Sequence, residues 1–326
     1  MNNRRKLLVA LGASALVSPL SSLAQPQTKV WRIGYMTGRK GRPDPTFDTV
    51  LQGLRELGYV EGKNILMEYR ASGGLPEIAA SIVAELVQLK VDVIVSPTFL
   101  LILAARQATK TIPIVGVVSQ DPVAAGLADS LARPGGNFTG VSRLTRELSG
   151  KRLELLKEMI PGIARIGVLW DANDTSQITN EYAAAARALK LQLHLLEVRG
   201  PNPDLEGAFQ AAAKGRASAL VIVRGPILLG HVKRIADLAT KHRLPAMYEG
   251  SEFMDAGGLI SYSTNDADSF KRAAYYVDKI LKGAKPSDLP IEQPTRFDLI
   301  INMKTAKAIG IKIPHTLLQR VDKLIE

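Results

Sequence analysis

Short runs rich in valine and isoleucine alternate with longer amphipathic stretches along this sequence, and that alternation restricts the fold more than any other feature. The runs predict strands at 30–36, 65–70, 91–95, 114–118 and 138–141, and again at 165–170, 192–197, 219–223, 246–248 and 259–262. The stretches between them predict helices at 47–57, 76–89, 100–108 and 122–131, and then at 177–189, 205–214 and 232–242. Strands that alternate with helices build parallel sheets with helices on both faces. We therefore predict an α/β fold.

The order of elements restarts about halfway along the chain. The segment RIGYM at 32–36 returns as RIGVL at 165–169, VDVIV at 91–95 returns as ALVIV at 219–223, and Ile112-Pro113 returns as Leu244-Pro245. Each match alone is weak, but the three occur in the same order at a separation of about 130 residues. They predict two lobes of one topology, each a doubly wound parallel sheet.

The remaining sequence predicts how the two lobes are joined. A helix at 266–281, a strand at 297–302 and a last helix at 314–325 follow the second set of strands. We expect the chain to cross between the sheets near residues 142, 264 and 293, so that these segments form a multi-strand hinge. The first lobe then comprises residues 29–142 with about 266–293, and the second comprises 143–265 with about 294–326.

The N-terminal residues predict a cleaved signal peptide at 1–24. Arg4, Arg5 and Lys6 precede an apolar run at 7–17, and small residues at Ser22 and Ala24 precede the expected cut. The apolar run is shorter than the ~20 residues that a membrane-spanning helix needs. The sequence contains no cysteine for lipid attachment or a disulfide. We expect a periplasmic protein, exported by either the general or the twin-arginine route.

Several classes of function lack their sequence signals. The glycines after the first strand are wrongly spaced for a dinucleotide loop, and Gly62-Lys63 lacks the upstream glycine of a phosphate-binding loop. The four histidines lie far apart, and no serine sits in a nucleophile elbow. The formal net charge of +11 is scattered, without the basic run that nucleic acid binding needs. We expect no catalytic residue, no metal, no cofactor and no nucleic acid partner.

Polar residues directly after the predicted strands are the candidates for a binding site, because ligands of doubly wound sheets bind at the carboxyl ends of the strands. The candidates are Thr37, Ser96, Thr98, Asp121 and Ser142 in the first half, and Asn173, Arg224, Glu249, Ser251 and Tyr262 in the second. Ser96 and Thr98 can hold a ligand carboxylate or simply cap a helix, and Asp121 is best interpreted as a cap. Arg224 can meet an acidic group and Glu249 an ammonium group, or both can form ion pairs within the protein.

Six distinctive segments occur in order along nearly the whole chain: RIGY at 32–35, GLRELGYVEGKN at 53–64, IPIV at 112–115, DPV at 121–123 with Gly126-Leu127, NFTGVS at 137–142 and NMKTAK at 302–307. Through these segments the sequence resembles the ABC transporter substrate-binding family typified by tryptophan-binding proteins. The resemblance implies the type I periplasmic-binding fold, three hinge crossings and delivery of ligand to a permease in the inner membrane. It makes aromatic amino acids a plausible ligand class.

The sequence favours capture of a small molecule by lobe closure, without turnover, in a monomer. The expected ligand is a zwitterion or carboxylate with an apolar or aromatic side group, held by Ser96 or Thr98 with Arg224 at one end and by Tyr248 or Tyr262 at the other. Two rivals stay open: a periplasmic sensor module for a signalling receptor, and an α/β enzyme with a nucleotide or sugar substrate.

Overall fold

Two mainly parallel sheets form the framework in the computed structural model, which describes residues 29–143, 148–172 and 178–326. The strands of the first sheet are β1 Trp31–Thr37, β2 Ile65–Ala71, β3 Val93–Ser96, β4 Ile114–Val118 and β5 Phe138–Ser142. The strands of the second sheet are β6 Arg165–Asp171, β7 Gln192–Val198, β8 Ala219–Ile222, β9 Ala246–Tyr248, β10 Ile260–Thr264, β11 Phe297–Asn302 and β12 Lys323–Ile325. Both sheets belong to one compact unit, Trp31–Glu326.

The helices alternate with these strands. In the first half they are α1 Pro45–Glu56, α2 Ala79–Gln88 and α3 Phe99–Ala108. In the second half they are α4 Ser149–Met159, α5 Ile178–Leu189, α6 Leu205–Lys214, α7 Pro226–Leu229, α8 Val232–Lys241, α9 Glu252–Asp255, α10 Asp266–Leu281, α11 Met303–Ile309 and α12 His315–Leu318. Within the described ranges no helix is long and apolar enough to cross a membrane.

The two sheets repeat one strand order, as the restart in the sequence predicts. The first sheet runs β2-β1-β3-β4-β5, and the second contains the same order as β7-β6-β8-β9-β10, extended by β11 and β12. Strands β3, β4, β5 and β8 are buried along their whole length because helices cover both faces of each sheet. The predicted α/β class with two doubly wound lobes is confirmed.

Each sheet lies between two layers of helices. In the first sheet, α1 and α10 pack on one face and α2 with α3 on the other. In the second, α4, α5 and α11 cover one face, and α6, α8 and α9 cover the other. Helix α10 follows a strand of the second sheet but buries Phe270 and Val277 against the first. The chain therefore crosses between the sheets just before α10.

A second crossing follows the segment that returns along β5. The N–H of Ser142 donates to the carbonyl of Glu292 at 2.9 Å, and the N–H of Glu292 donates to the carbonyl of Gly140 at 3.0 Å. The chain then enters β11 of the second sheet at Phe297. Strand β11 runs antiparallel to β10, unlike the other strand pairs of the described sheets.

Two predicted helices are wrong. Residues 122–131 form turns, because Gly126 takes a φ of +68° and Asp121 caps one turn through the N–H groups of Val123 and Ala124. The predicted helix at 314–325 stops at Leu318. The chain then forms β12, since its backbone pairs with the free edge of β11 and this pairing outweighs local helix propensity.

Candidate functional site

A cleft lies where the carboxyl ends of both sheets face each other. It encloses about 680 Å³, including its opening to solvent. Its lining residues are Thr37, Gly38, Arg39, Thr46, Pro97, Thr98, Phe99, Leu100, Ser119, Gln120, Arg143, Arg224, Gly225, Pro226 and Leu229. Residues after β1, β3, β4 and β5 form the first side and residues after β8 form the second, as the rule for doubly wound sheets predicts.

Three predicted site residues line this cleft. Thr37 is the buried last residue of β1, and its hydroxyl accepts the N–H of Arg39 at 3.3 Å. The hydroxyl of Thr98 accepts the N–H of Gly38 at 2.7 Å, which joins the loops after β1 and β3. Arg224 follows β8 and reaches the cleft from the second sheet.

The other predicted residues that the structure describes lie outside that lining. Ser96 is fully buried, and its hydroxyl accepts the N–H of Thr98 at 3.1 Å; Thr98 stands at the N-cap position of α3, but its side chain makes no cap bond. Asp121 is exposed and caps its turn. Ser142 lies buried in β5, and Ser251 precedes α9.

Glu249 and the two tyrosines support the interior of the second lobe. Glu249 is 1% exposed and accepts bonds from Tyr182, Arg152 and the N–H of Arg224. Tyr248 is fully buried and stacks on Phe253 at 4.9 Å between ring centroids. Tyr262 packs beside Phe297, with 6.0 Å between their ring centroids. Asn173 lies outside the described residues.

Arg224 is held by two carboxylates. Its Nε donates to Glu252 and its Nη2 to Asp266, both at 2.6 Å. Burial opposes the charge of Arg224, but Asp266 and Glu252 outweigh it and raise the pKa of this guanidinium above its ordinary value. Asp266 begins α10, which packs on the first sheet, so this ion pair joins the two lobes.

Arg143 is a cleft residue that the sequence analysis missed. Its side chain is 4% exposed, its Nε lies 3.3 Å from Asp266, and its Nη1 donates to Ser119 at 3.3 Å. Burial and the neighbouring charge of Arg224 lower the pKa of Arg143 to about 10. The sequence contained a signal for Arg143, because this residue directly follows strand β5, just as Arg224 directly follows its predicted strand.

The lining of the cleft contains both polar and apolar side chains. In the described ranges, no group of three or more metal-ligating side chains exists. The lining combines hydroxyls, guanidinium groups and the apolar side chains of Phe99, Leu100 and Leu229. This mixture of a few convergent polar groups with apolar walls is typical of small-molecule sites.

Comparison with known proteins gives a family and a fold. A sequence model for "ABC transporter substrate binding protein" matches residues 43–325. A relative named Tyrosine-binding protein from Clostridioides difficile (strain R20291) is 24% identical over 272 residues, which cover 82% of this chain and 78% of the relative.

Two solved structures share the whole architecture. An ABC domain in complex with L-Trp from Streptococcus pneumonia has a TM-score of 0.80 at 23% identity, over 90% of this chain and 99% of that one. A ligand-free, open structure of a substrate-binding protein with adhesive properties from Clostridium difficile has a TM-score of 0.63 at 25% identity, over 91% and 99%. The expected type I periplasmic-binding fold is confirmed.

Proposed function

This chain belongs to the ABC transporter substrate-binding protein family, and from that membership we propose that it captures an amino-acid-like molecule in the cleft and delivers it to a permease in the membrane. The observation that carries the proposal is the cleft itself, which both sheets line at the carboxyl ends of their strands. Closure of two lobes over a ligand adds contacts that the open state lacks, and this difference makes binding drive closure.

Contacts across the cleft support a closed arrangement of the lobes. A Cβ on Gly38 of the first lobe would lie 3.0 Å from the Cβ of Pro226 in the second. A Cβ on Gly74 of the first lobe would lie 3.7 Å from a side-chain carbon of Ile227. The TM-score is also higher for the L-Trp complex than for the ligand-free, open structure, at 0.80 against 0.63. We propose that a permease recognises this closed form.

The ligand class rests on the relatives and on the cleft. One relative is named for tyrosine and one solved structure contains L-Trp. The cleft offers apolar surface from Phe99 and Leu100 beside the guanidinium groups of Arg39 and Arg143. This pairing suits a small molecule that carries a carboxylate on an apolar or aromatic body.

Export and the hinge complete the proposal. Substrate-binding proteins of this family work outside the cytoplasmic membrane, and we propose that residues 1–24 are the signal that directs this chain there. We also propose that the lobes rotate about crossings near 142, 264 and 293. The packing of α10 on the first sheet and the return of residues 289–292 along β5 support the last two crossings.

The proposal is tested by identifying the ligand directly. Protein purified gently from periplasm is denatured, and the released small molecules are identified by mass spectrometry. We expect an amino-acid-like compound, and isothermal titration of the emptied protein should then show saturable binding without turnover. Tight binding of sugars or nucleotides, with no response to amino acids or carboxylates, contradicts the proposed ligand class.

A further inference from the structure

We propose that Arg143 is the residue that binds the ligand's carboxylate, so that the carboxylate of the ligand matters more for affinity than its ammonium group. This inference deepens the proposed function and rests on it. It assigns the anchoring role to an arginine at the hinge, directly after β5 of the first sheet, and not to Arg224.

Arg143 lines the cleft, and its buried guanidinium has two donors without a hydrogen-bond partner among the described residues. Only Nη1 donates a hydrogen bond, to Ser119; Nη2 and Nε have no hydrogen-bond partner within the described part of the chain. Nε is nevertheless 3.3 Å from Asp266, which fixes one edge of the group. The ring of Phe270 lies 5.2 Å from the guanidinium carbon. A buried donor without a partner is unfavourable, so an acceptor from the ligand stabilises the closed protein.

The other two arginines of the cleft differ from Arg143, because Arg224 is matched by two carboxylates and the side chain of Arg39 is partly exposed, at 19%. Arg224 donates to Glu252 and Asp266, and each bond is 2.6 Å long. Arg39 lies 3.5 Å from the fully buried Asp44. Arg143 shares Asp266 with Arg224, and the repulsion between the two guanidinium groups adds to the cost of burying it. An incoming anion therefore gains most at Arg143.

The rest of the lining also favours an anion. Phe99 and Leu100 belong to the first turn of α3, a ten-residue helix whose first N–H groups have no acceptor within the helix. Thr98 and Ser119 add hydroxyls. Among the described residues of the lining, no side chain is a carboxylate. The described cleft can thus bind a carboxylate with several donors, whereas it offers an ammonium group no partner of opposite charge.

The first arm of the test changes the ligand and leaves the protein intact. Binding of L-tyrosine and L-tryptophan is compared by calorimetry with that of tyramine and tryptamine, which lack the carboxylate, and of 3-(4-hydroxyphenyl)propionate and indole-3-propionate, which lack the ammonium group. We expect the two propionates to bind within about tenfold of the amino acids, and the two amines to bind at least about a hundredfold more weakly.

The second arm changes Arg143. Arg143→Gln removes the charge, Arg143→Lys keeps the charge but loses the planar pair of donors, and Arg199→Gln is the matched control at a side chain that is 78% exposed. We expect Arg143→Gln to weaken binding of the acids at least about tenfold, Arg143→Lys to recover part of that loss, and the control to change nothing. Melting temperature without ligand separates a loss of folding from a loss of binding.

The outcomes distinguish this inference from the proposed function. If the amino acids bind but Arg143→Gln binds them as tightly as the parent, or if the amines bind as well as the propionates, the assignment of Arg143 is wrong and the binding-protein function stands. If Arg143→Gln does not fold, the ligand series on the parent protein decides alone. If no compound of the series binds, the proposed ligand class fails and the inference fails with it.

Discussion

At the scale of single residues, the charged groups of the second lobe divide between the cleft and the interior. The Glu249 carboxylate accepts from the Tyr182 hydroxyl at 2.7 Å, from Arg152 Nη1 at 3.2 Å and from the Arg224 N–H at 2.9 Å. Burial and the charge of Glu249 raise the pKa of Tyr182, which keeps this hydroxyl protonated as a donor. The sequence offered Glu249 as a contact for an ammonium group, but its three bonds tie helices α4 and α5 to the ends of β8 and β9.

Replacing Glu249 tests this structural role. Glu249→Gln removes a carboxylate charge that lies 3.2 Å from Nη1 of the fully buried Arg152, and we expect the free energy of unfolding to fall by about 3 kcal/mol, measured by urea denaturation. Glu154→Gln is the control, because Glu154 is half exposed and forms a surface ion pair with Lys151. Its effect should stay below about 1 kcal/mol. Equal effects of the two substitutions contradict the structural role of Glu249.

At the scale of elements, the start of α1 connects the core of the first lobe to the cleft. Asp44 is fully buried and caps α1 by accepting from the N–H groups of Thr46 at 3.0 Å and Phe47 at 3.4 Å. The same carboxylate lies 3.5 Å from Arg39, which lines the cleft. One side chain thus sets both the first turn of a core helix and the position of a cleft arginine.

Substitutions at Asp44 should separate its two roles. Asp44→Ala removes the cap and the charge, and we expect it to lower the free energy of unfolding by about 1–2 kcal/mol and to weaken ligand binding. Asp44→Asn keeps a side chain that can cap α1, so the free energy of unfolding should be largely retained. Ligand binding should still weaken, because the charge that positions Arg39 is lost. Asp48→Ala, at an exposed position in the same first turn, is the control. A stable Asp44→Ala protein with unchanged affinity contradicts this coupling.

At the scale of the whole molecule, the two lobes approach each other at Gly38, a position without a side chain. Gly38→Ala places a Cβ 3.0 Å from Pro226 of the other lobe and 3.2 Å from the Thr98 hydroxyl, closer than ordinary packing allows. We expect this substitution to weaken ligand affinity about tenfold by hindering closure, with little change in the stability of the unliganded protein. Gly150→Ala is the control, since its nearest neighbour is 3.8 Å away at Ala185.

Closure itself is measurable in solution. Small-angle scattering should give a smaller radius of gyration at saturating ligand than without ligand, because the rotation of the lobes narrows the cleft. The Gly38→Ala protein should show a smaller change at the same ligand concentration. A radius of gyration that stays constant with a ligand of proven affinity contradicts closure.

The sequence by itself determined the class of the fold, because the alternation of strand and helix periods is a local property that each segment carries. The restart at RIGVL, 165–169, predicted the repeated strand order of the second sheet. Local pattern failed at 314–325, where the second half of a predicted helix became strand β12 beside β11. An edge pairing between distant segments decided that outcome, and no local period records it.

The same distinction holds for the site. Position after a strand was enough to nominate Thr37, Thr98 and Arg224 from the sequence, since the topology of a doubly wound sheet fixes where strand ends lie. Only the tertiary structure decided that two carboxylates hold Arg224 and that, among the described residues, two donors of Arg143 have no hydrogen-bond partner. The physical reason is that the charge partners, Glu252 and Asp266, come from α9 and α10, and a charge is balanced by what lies a few ångströms away in space rather than by its neighbours along the chain.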